Sequence, residues 1–388
     1  MHDTNRISYL DHASTTPMDP SALEAMTSWL ANSRGNPSGS HRMSRAALTA
    51  VDEAREEMAS LLGCEPGEVI YTSGGTESDN LAVKGVGARL GGRILCSAIE
   101  HHAVLAPSVA NGAEQINVDR AGSLDLDHLE HLLDGTVRFV SVMLANNEVG
   151  TVQPLAEIAS IVRASSPNAY LHTDAVHAAS WLDIPVATHD IDLVSLSAHK
   201  FGGPPGMGIL VARSGVPLSP IMEGGSQERG RRPGSIDVPG IVATTAAMRS
   251  VVSQLSDQSR RVGQLRDRLE SAISSVEGVT VTVDKRAQLP GGSVGRGPEK
   301  VAGSCHVMVE GVEQEELLFL LDAQGVCASA GSSCASGAME LSHVLVAMGI
   351  EAPLARGAVR FSLGYTTTRE EIDHAVEVFS QSVHDLRK

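Results

Sequence analysis

Between residue 40 and about residue 250 the chain alternates helical stretches with short, β-rich apolar runs. That rhythm predicts βα units wound around a mostly parallel sheet, an α/β fold. The runs fall at 69–72, 93–97, 138–144, 170–173, 193–197 and 208–211. Each is followed within a few residues by a polar or glycine-bearing segment, and in open α/β sheets ligands bind outside such strand ends. Past residue 250 the pattern changes. A long polar helical stretch over 251–276 leads to two further apolar runs, 278–283 and 304–309. Between them 286–300 is rich in Gly and Pro and reads as an exposed loop. This change marks a second, smaller α+β domain.

Size agrees with two domains, since 388 residues exceed the length at which one core keeps growing. Hydrophobic content of 42% and charged content of 20% are ordinary for a globular protein in water. The net charge of −16 argues against a broad phosphate-binding face, so no direct nucleic-acid binding is expected. Five cysteines without a regular framework suit a reducing cytoplasm better than a secreted scaffold. Met1 to Leu10 carries Asp3 and Arg6 and no apolar run, and no later segment is apolar for long enough to span a bilayer. Neither a leader nor a membrane anchor is expected.

The candidate chemistry centres on Lys200, which follows the apolar run 193–197 and precedes Phe201-Gly202-Gly203-Pro204. A lone lysine at a strand end is ordinarily a surface residue with its stem packed down. Its neighbours change the reading, because a Schiff-base lysine needs an anion cradle, an acid opposite a pyridine nitrogen and an aromatic lid. Gly74-Gly75-Thr76-Glu77-Ser78 joins a strand to a helical run over 79–85, where backbone N–H groups and the Thr76 hydroxyl can converge on one phosphate. The alternative there is a tight turn with a Thr or Ser cap. Ser197 and His199 flank the lysine and can donate to the same anion. His172 and Asp174, two apart on a strand, share a face, so a buried Asp174 can pair with a protonated ring nitrogen; a metal site from His172, Asp174 and His177 is the rival. His101 follows another strand and is placed to stack on a ring or shuttle protons, and either it or His102 can instead cap the next helix.

Cys334 lies in a run of small residues, Cys327-Ala328-Ser329-Ala330-Gly331-Ser332-Ser333-Cys334-Ala335-Ser336-Gly337, which has almost nothing to pack and reads as a flexible loop. A thiol there can swing and attack as the thiolate. Cys327 is the second candidate, and Cys64, Cys96 and Cys305 read as structural. Arg360, charged within the apolar run Gly357-Ala358-Val359-Arg360-Phe361, has the fork for an amino-acid carboxylate, with an intrachain ion pair as the alternative.

With these residues assembled, nearly the whole chain resembles the cysteine desulfurases of the class V, fold-type I pyridoxal-phosphate family. The resemblance rests on ordered motifs. They are Tyr9-Leu10-Asp11-His12-Ala13-Ser14-Thr15-Thr16-Pro17, Gly35-Asn36-Pro37-Ser38-Gly39-Ser40-His41, the turn at 74–80 and Glu100-His101. Then come Ala145-Asn146-Asn147-Glu148-Val149-Gly150, His172-Thr173-Asp174-Ala175, the lysine block 197–200, the glycine- and arginine-rich 224–232, the cysteine loop and Arg360-Phe361-Ser362-Leu363-Gly364.

The resemblance implies a large domain over 14–257 with a mostly parallel seven-stranded sheet, and a small domain formed by 1–13 and 258–388. It implies pyridoxal 5'-phosphate held by Lys200, with Asp174 on the ring nitrogen and His101 stacked above. Gly75, Thr76, Ser197 and His199 would hold the phosphate, Asn147 and His177 would lie near the phenolic oxygen and substrate, and Arg360 and Asn36 would take the substrate carboxylate. It further implies a homodimer in which the neighbouring copy's Ser235 reaches the phosphate. Cys334 would be the nucleophile, L-cysteine the substrate and a protein the sulfur acceptor. Four positions depart from the family pattern: His177 stands for the usual Gln, Ser235 for Thr, Ser333 for Ala and Tyr365 for Arg. Two alternatives stay open: another class V enzyme, such as a selenocysteine lyase or aminotransferase, and a silent sulfur-transfer scaffold.

Overall fold

The structure is a computed structural model that describes residues 7–32, 35–283, 299–331 and 341–388. Among these, the strands in chain order are β1 (Ser8–Tyr9), β2 (Val69–Thr72), β3 (Arg93–Ser97), β4 (Glu114–Ile116), β5 (Val137–Ser141), β6 (Tyr170–Asp174), β7 (Leu193–Ser197), β8 (Gly208–Ala212), β9 (Val279–Val281), β10 (Ser304–Val309), β11 (Val326–Cys327) and β12 (Ala358–Ser362). Seven of them form one sheet in the order β2-β8-β7-β6-β5-β3-β4. It is mostly parallel, as expected; β8 runs antiparallel to both of its neighbours. Every strand but the edge strand β4 is almost wholly buried. The reason is that apolar layers cover both faces: Val69, Tyr71, Val140, Val194 and Leu196 pack on one side, and Ile70, Phe139, Leu193 and Leu210 on the other.

Three elements differ from the sequence pattern. β4 carries two exposed polar residues and no apolar periodicity, so nothing local announces it. β5 ends at Ser141 rather than 144, because beyond it the chain leaves the ladder while still bonding β6 through Val142 N–H to the His172 carbonyl at 3.0 Å. The long helix begins at Val238, well before 251, and runs to Ile273. Asp237 caps it by accepting from Gly240 N–H at 3.1 Å. Its first turns, through Met248, are small or apolar residues buried against the large core, while Val262, Leu269 and Ile273 enter the core of the smaller sheet. One helix therefore joins both cores.

The smaller sheet has the order β12-β10-β9, both pairings antiparallel. The chain's beginning joins it: β1 pairs with β11, and Asp11 bridges to Ser362 on β12. This brings residues 11–14 between the two sheets, against the strand ends that carry the candidate chemistry. The expected loop at 286–300 lies outside the described residues apart from its last two, and Lys300 is buried on Glu270.

Candidate active site

The ends of β6 and β7, the turn after β2 and the helix that follows it surround a cavity of about 440 Å³. Gly75, Thr76, His101, Asn147, Asp174, His177, Ser197, His199, Lys200 and Arg360 all line it. Asn36 and Ser235 do not. Asn36 is exposed, its side chain accepting from Ser38 N–H, and Ser235 lines a separate hollow beside Glu228 and Asp237. Cys334 lies outside the described residues.

Lys200 ends a single helical turn, Ala198–Lys200, that follows β7 directly, so its amine stands above the sheet edge. The ammonium donates to the carbonyls of Ala13 at 2.6 Å and Ser14 at 2.7 Å. Asp174 is the last residue of β6 and faces Ser195 across the ladder. Its Oδ1 accepts from Val176 N–H at 2.8 Å. Burial pushes this carboxyl up from the ordinary range, and His101 and Lys200 oppose that push. His101 caps the helix His102–Ala110, its Nδ1 accepting from Ala103 N–H at 3.1 Å. That bond leaves Nε2 as the protonated nitrogen of a neutral ring, and burial lowers the imidazole's pKa. One residue thus both caps the helix and lines the cavity. His177 and His199 are also held neutral by burial, at about 3 and about 4, with Ser304 Oγ and Thr15 Oγ1 as their partners.

The phosphate-type turn is built by close backbone approach. The helix Gly75–Ala82 starts at the turn rather than at 79, so its first N–H groups, which have no partner within a helix, open toward the cavity. A Cβ on Gly75 would stand 2.8 Å from Val176, and one on Gly208 would stand 2.5 Å from the Gly74 carbonyl carbon. Gly208 is a residue that sequence reasoning missed, since its partner is remote in the chain. Glu77 secures the turn from below, accepting from Ser73 N–H at 2.6 Å and pairing with Arg232 at 2.9 Å.

The wall opposite belongs to the smaller sheet. Arg360, in the middle of β12 and 2% exposed, sends Nη2 to Asp11 at 3.0 Å and Ser14 Oγ at 2.9 Å, and Nη1 to the Asn147 carbonyl at 3.0 Å. Its Nε has no partner among the described residues. The ion pair and the cavity-facing fork therefore coexist in one side chain. Beneath Asp174 lie two acids that the sequence motifs contain but that sequence reasoning did not single out, Asp79 and Glu100, both fully buried. His172 does not point with Asp174 toward a common ligand. It sits between Ser141 and Ser195, while His177 turns to Ser304, and among the described residues no three His, Cys, Asp or Glu side chains converge as metal ligands.

The cysteines read as structural are buried or half-buried, and burial lifts Cys64 to about 11 and Cys96 to about 12, and pushes Cys305 up as well. Cys327 is half-buried with its pKa raised by the same cause, the wrong direction for a nucleophile.

The sequence profile described as aminotransferase class-V matches residues 8–375. The chain belongs to the class-V aminotransferase family. It is 42% identical over 397 residues to the "IscS-like cysteine desulfurase" of Mycobacterium tuberculosis, covering 98% of both chains. It is 38% identical over 391 residues to "Cysteine desulfurase IscS" of Methanosarcina thermophila, covering 99% of this chain and 93% of the relative. A solved "NIFS-LIKE PROTEIN" superposes with a TM-score of 0.88 at 32% identity, covering 97% of this chain and 99% of the other. Class-V aminotransferases depend on pyridoxal 5'-phosphate, and the cavity fits such a group. It offers Gly75, where a Cβ would crowd Val176 and Ser197 on the cavity wall, an amine, and a buried carboxyl two strands from a histidine ring. No helix among the described residues is long and apolar enough to cross a membrane.

Proposed function

We propose that the chain is a cysteine desulfurase, which takes sulfur from L-cysteine, places it on Cys334 as a persulfide and releases L-alanine. The observation that carries the reading is the convergence of Lys200, Asp174, His101 and the Gly75–Thr76 turn on one cavity that Arg360 closes from the other sheet. In it Lys200 holds pyridoxal 5'-phosphate, Gly75, Thr76, Ser197 and His199 hold its phosphate, and Asp174 faces its ring nitrogen. The bound group supplies an electron sink for the substrate's α-carbon. Lys200 removes the α-proton, and the two carbonyls that hold its ammonium, those of Ala13 and Ser14, orient it between turns of the cycle. Arg360 takes the substrate carboxylate by exchanging its Asp11 contact for the ligand's. Asn147 and His177 lie beside the substrate, and His101 is the proton relay for the substrate thiol. Cys334 attacks the substrate sulfur as a thiolate. The S–S bond forms as the C–S bond breaks, and the three-carbon remainder takes up two protons, one at the β-carbon and one back at the α-carbon, and leaves as L-alanine.

The persulfide is passed to an acceptor protein serving iron-sulfur assembly, tRNA thiolation or DNA phosphorothioation; the acidic chain favours a protein intermediary over direct contact with nucleic acid. A large domain at 14–257 and a small one at 1–13 and 258–388, paired copies sharing Ser235 and a cytoplasmic location complete the reading.

Borohydride reduction followed by peptide mass analysis tests the anchor. Pyridoxal phosphate is expected on the peptide containing Lys200, and Cys334→Ser is expected to lose sulfide release from cysteine. An unmodified Lys200 in a cofactor-loaded sample, or undiminished sulfide release by the variant, overturns the reading.

A further inference from the structure

At the edge of the cavity three consecutive residues have three different tasks. Asn146 is fully buried and braces the turn: its Nδ2 donates to the Ile99 carbonyl at 3.1 Å, and its Oδ1 accepts from Glu148 N–H at 2.9 Å and Val149 N–H at 3.0 Å. Asn147 lines the cavity. Glu148, 2% exposed, does not line it. Its carboxylate meets instead the two stems of the segment 332–340, Gly331 before it and Ser342 just after it. That segment carries Cys334 and lies outside the described residues.

The first stem is fixed by Arg360 and Glu148. Ser329 and Arg360 exchange backbone hydrogen bonds at 3.1 and 2.7 Å, and Arg360 Nη1 donates to the Gly331 carbonyl at 3.4 Å. Gly331 has a φ of 83°, a conformation that favours glycine, and a Cβ there would stand 3.1 Å from Glu148 Oε2. The second stem is fixed by the same oxygen. Ser342 Oγ donates to Glu148 Oε2 at 2.5 Å while it caps the helix His343–Ala347, accepting from Val344 N–H at 3.2 Å and Leu345 N–H at 3.3 Å. His343 Nε2–H donates to the Glu100 carbonyl at 2.9 Å, and Val344 and Leu345 share a buried cluster with Ile99, Met143 and Val149. Both stems are thus seated on the segment 143–149. Burial raises the pKa of Glu148 against Ser342 and Arg360, so a carboxyl costs free energy here and packing alone does not call for one.

We propose that Glu148 is a positioning residue for sulfur transfer: its carboxylate clasps both stems of the segment that carries Cys334 and so sets where the thiol can meet a substrate held by Arg360. Cys334 follows Gly331 by three residues and precedes Ser342 by eight. A tether of three residues reaches at most about 11 Å, so the place where Gly331 is held decides which atoms the thiol can approach. Asp174 and Lys200 are placed by β6 and β7, which pair within the large sheet. Loosening the stems therefore spares the chemistry at the α-carbon and slows the step that needs the thiol. The clasp stands on the contacts of Gly331 and Ser342, and its consequence for sulfur rests on the proposed function.

Glu148→Ala in the cofactor-loaded protein tests both halves. By amide hydrogen exchange read on peptides, the stems at 329–331 and 342–347 are both expected to exchange at least about threefold faster, with the peptides of β6 and β7 unchanged. On rapid mixing with L-cysteine, the cofactor's absorbance change is expected within about twofold of the wild-type rate, while sulfur reaches the peptide containing Cys334 at least about 10-fold more slowly. Glu148→Gln keeps an oxygen for the Ser342 hydroxyl and is expected to return sulfur transfer to within about threefold of wild type. Ser342→Ala removes the donor and leaves the acid; it is expected to give the same split, and it decides the matter if Glu148→Ala does not fold. Faster exchange at one stem only, or at neither, overturns the clasp. Cofactor response and sulfur transfer falling together, sulfur transfer at the wild-type rate, or Glu148→Gln as slow as Glu148→Ala overturns the positioning role. Should the wild type place no sulfur on Cys334 while both stems loosen in the variant, the proposed function fails and the clasp stands.

Discussion

The floor of the cavity and its far wall are held in opposite ways. The floor is made by consecutive strands of the parallel sheet, so Asp174 ends β6, Lys200 ends the turn after β7, and His172 finds its partners, Ser141 and Ser195, on the strands to either side. Its charges are controlled by burial. The wall is made by segments from the two ends of the chain, Asp11 and Ser14 meeting Arg360. Its charge is controlled by an ion pair that a ligand carboxylate can replace. A floor of this kind fixes the reacting atoms. A wall of this kind can exchange partners without disturbing them.

Breaking the floor should have the largest effect. Lys200→Ala is expected to reduce turnover by at least ~10³-fold and to abolish the borohydride-reducible link while the fold persists, as checked by alanine release and circular dichroism. Residual turnover within tenfold of wild type would remove the asymmetry between floor and wall. Next comes a stability effect at the segment that carries the wall. His12 is held neutral between Thr16 and Thr367, and burial lowers its pKa from 6.5 to about 4. Above about pH 6.5 both folded and unfolded chains leave it neutral, and its contribution is complete. As the pH falls from there toward 4, the unfolded chain takes up a proton that the folded site refuses, and about 3 kcal/mol is lost. Urea unfolding of His12→Gln against wild type at pH 7 and pH 4.5 should show the variant losing less stability over that interval.

Arg360→Lys probes the wall itself. A lysine keeps the charge and loses the fork, so kcat/KM for cysteine should fall about 10- to 100-fold, chiefly through KM, with the cofactor absorbance unchanged. A fall confined to kcat would make Arg360 part of the floor's chemistry. The smallest effect is remote from both. Thr368 and Glu371 form a reciprocal cap on the helix Arg369–Leu386 behind the wall, and Thr368→Ala should cost about 1 kcal/mol in urea without changing KM.

The same contrast explains how much can be read along the chain. Lys200, Asp174 and His101 are legible because each sits at or just past the end of an apolar run, and the ends of parallel strands gather such residues on one edge of the sheet. The three-stranded sheet is legible only in part, as β10 is a mostly apolar run while β9 is short and β12 carries a buried arginine. Asp79 and Glu100 sit in local contexts that suit exposed acids equally well, and only the packing of helix and strands buries them together. Gly208 gives no local signal, because the backbone it must admit belongs to Gly74 on another element. The early start of the long helix is hidden for a related reason: its first turns pack on both sides, which erases the polar stripe that would announce a helix.

The central claim is that sulfur leaves cysteine in this cavity and arrives at position 334. Purified protein carrying pyridoxal phosphate is given L-cysteine for a single turnover, and both alanine and the mass of the peptide containing Cys334 are measured. One alanine per added sulfur atom on that peptide is the predicted result. Alanine without sulfur at Cys334, or neither product, contradicts the account.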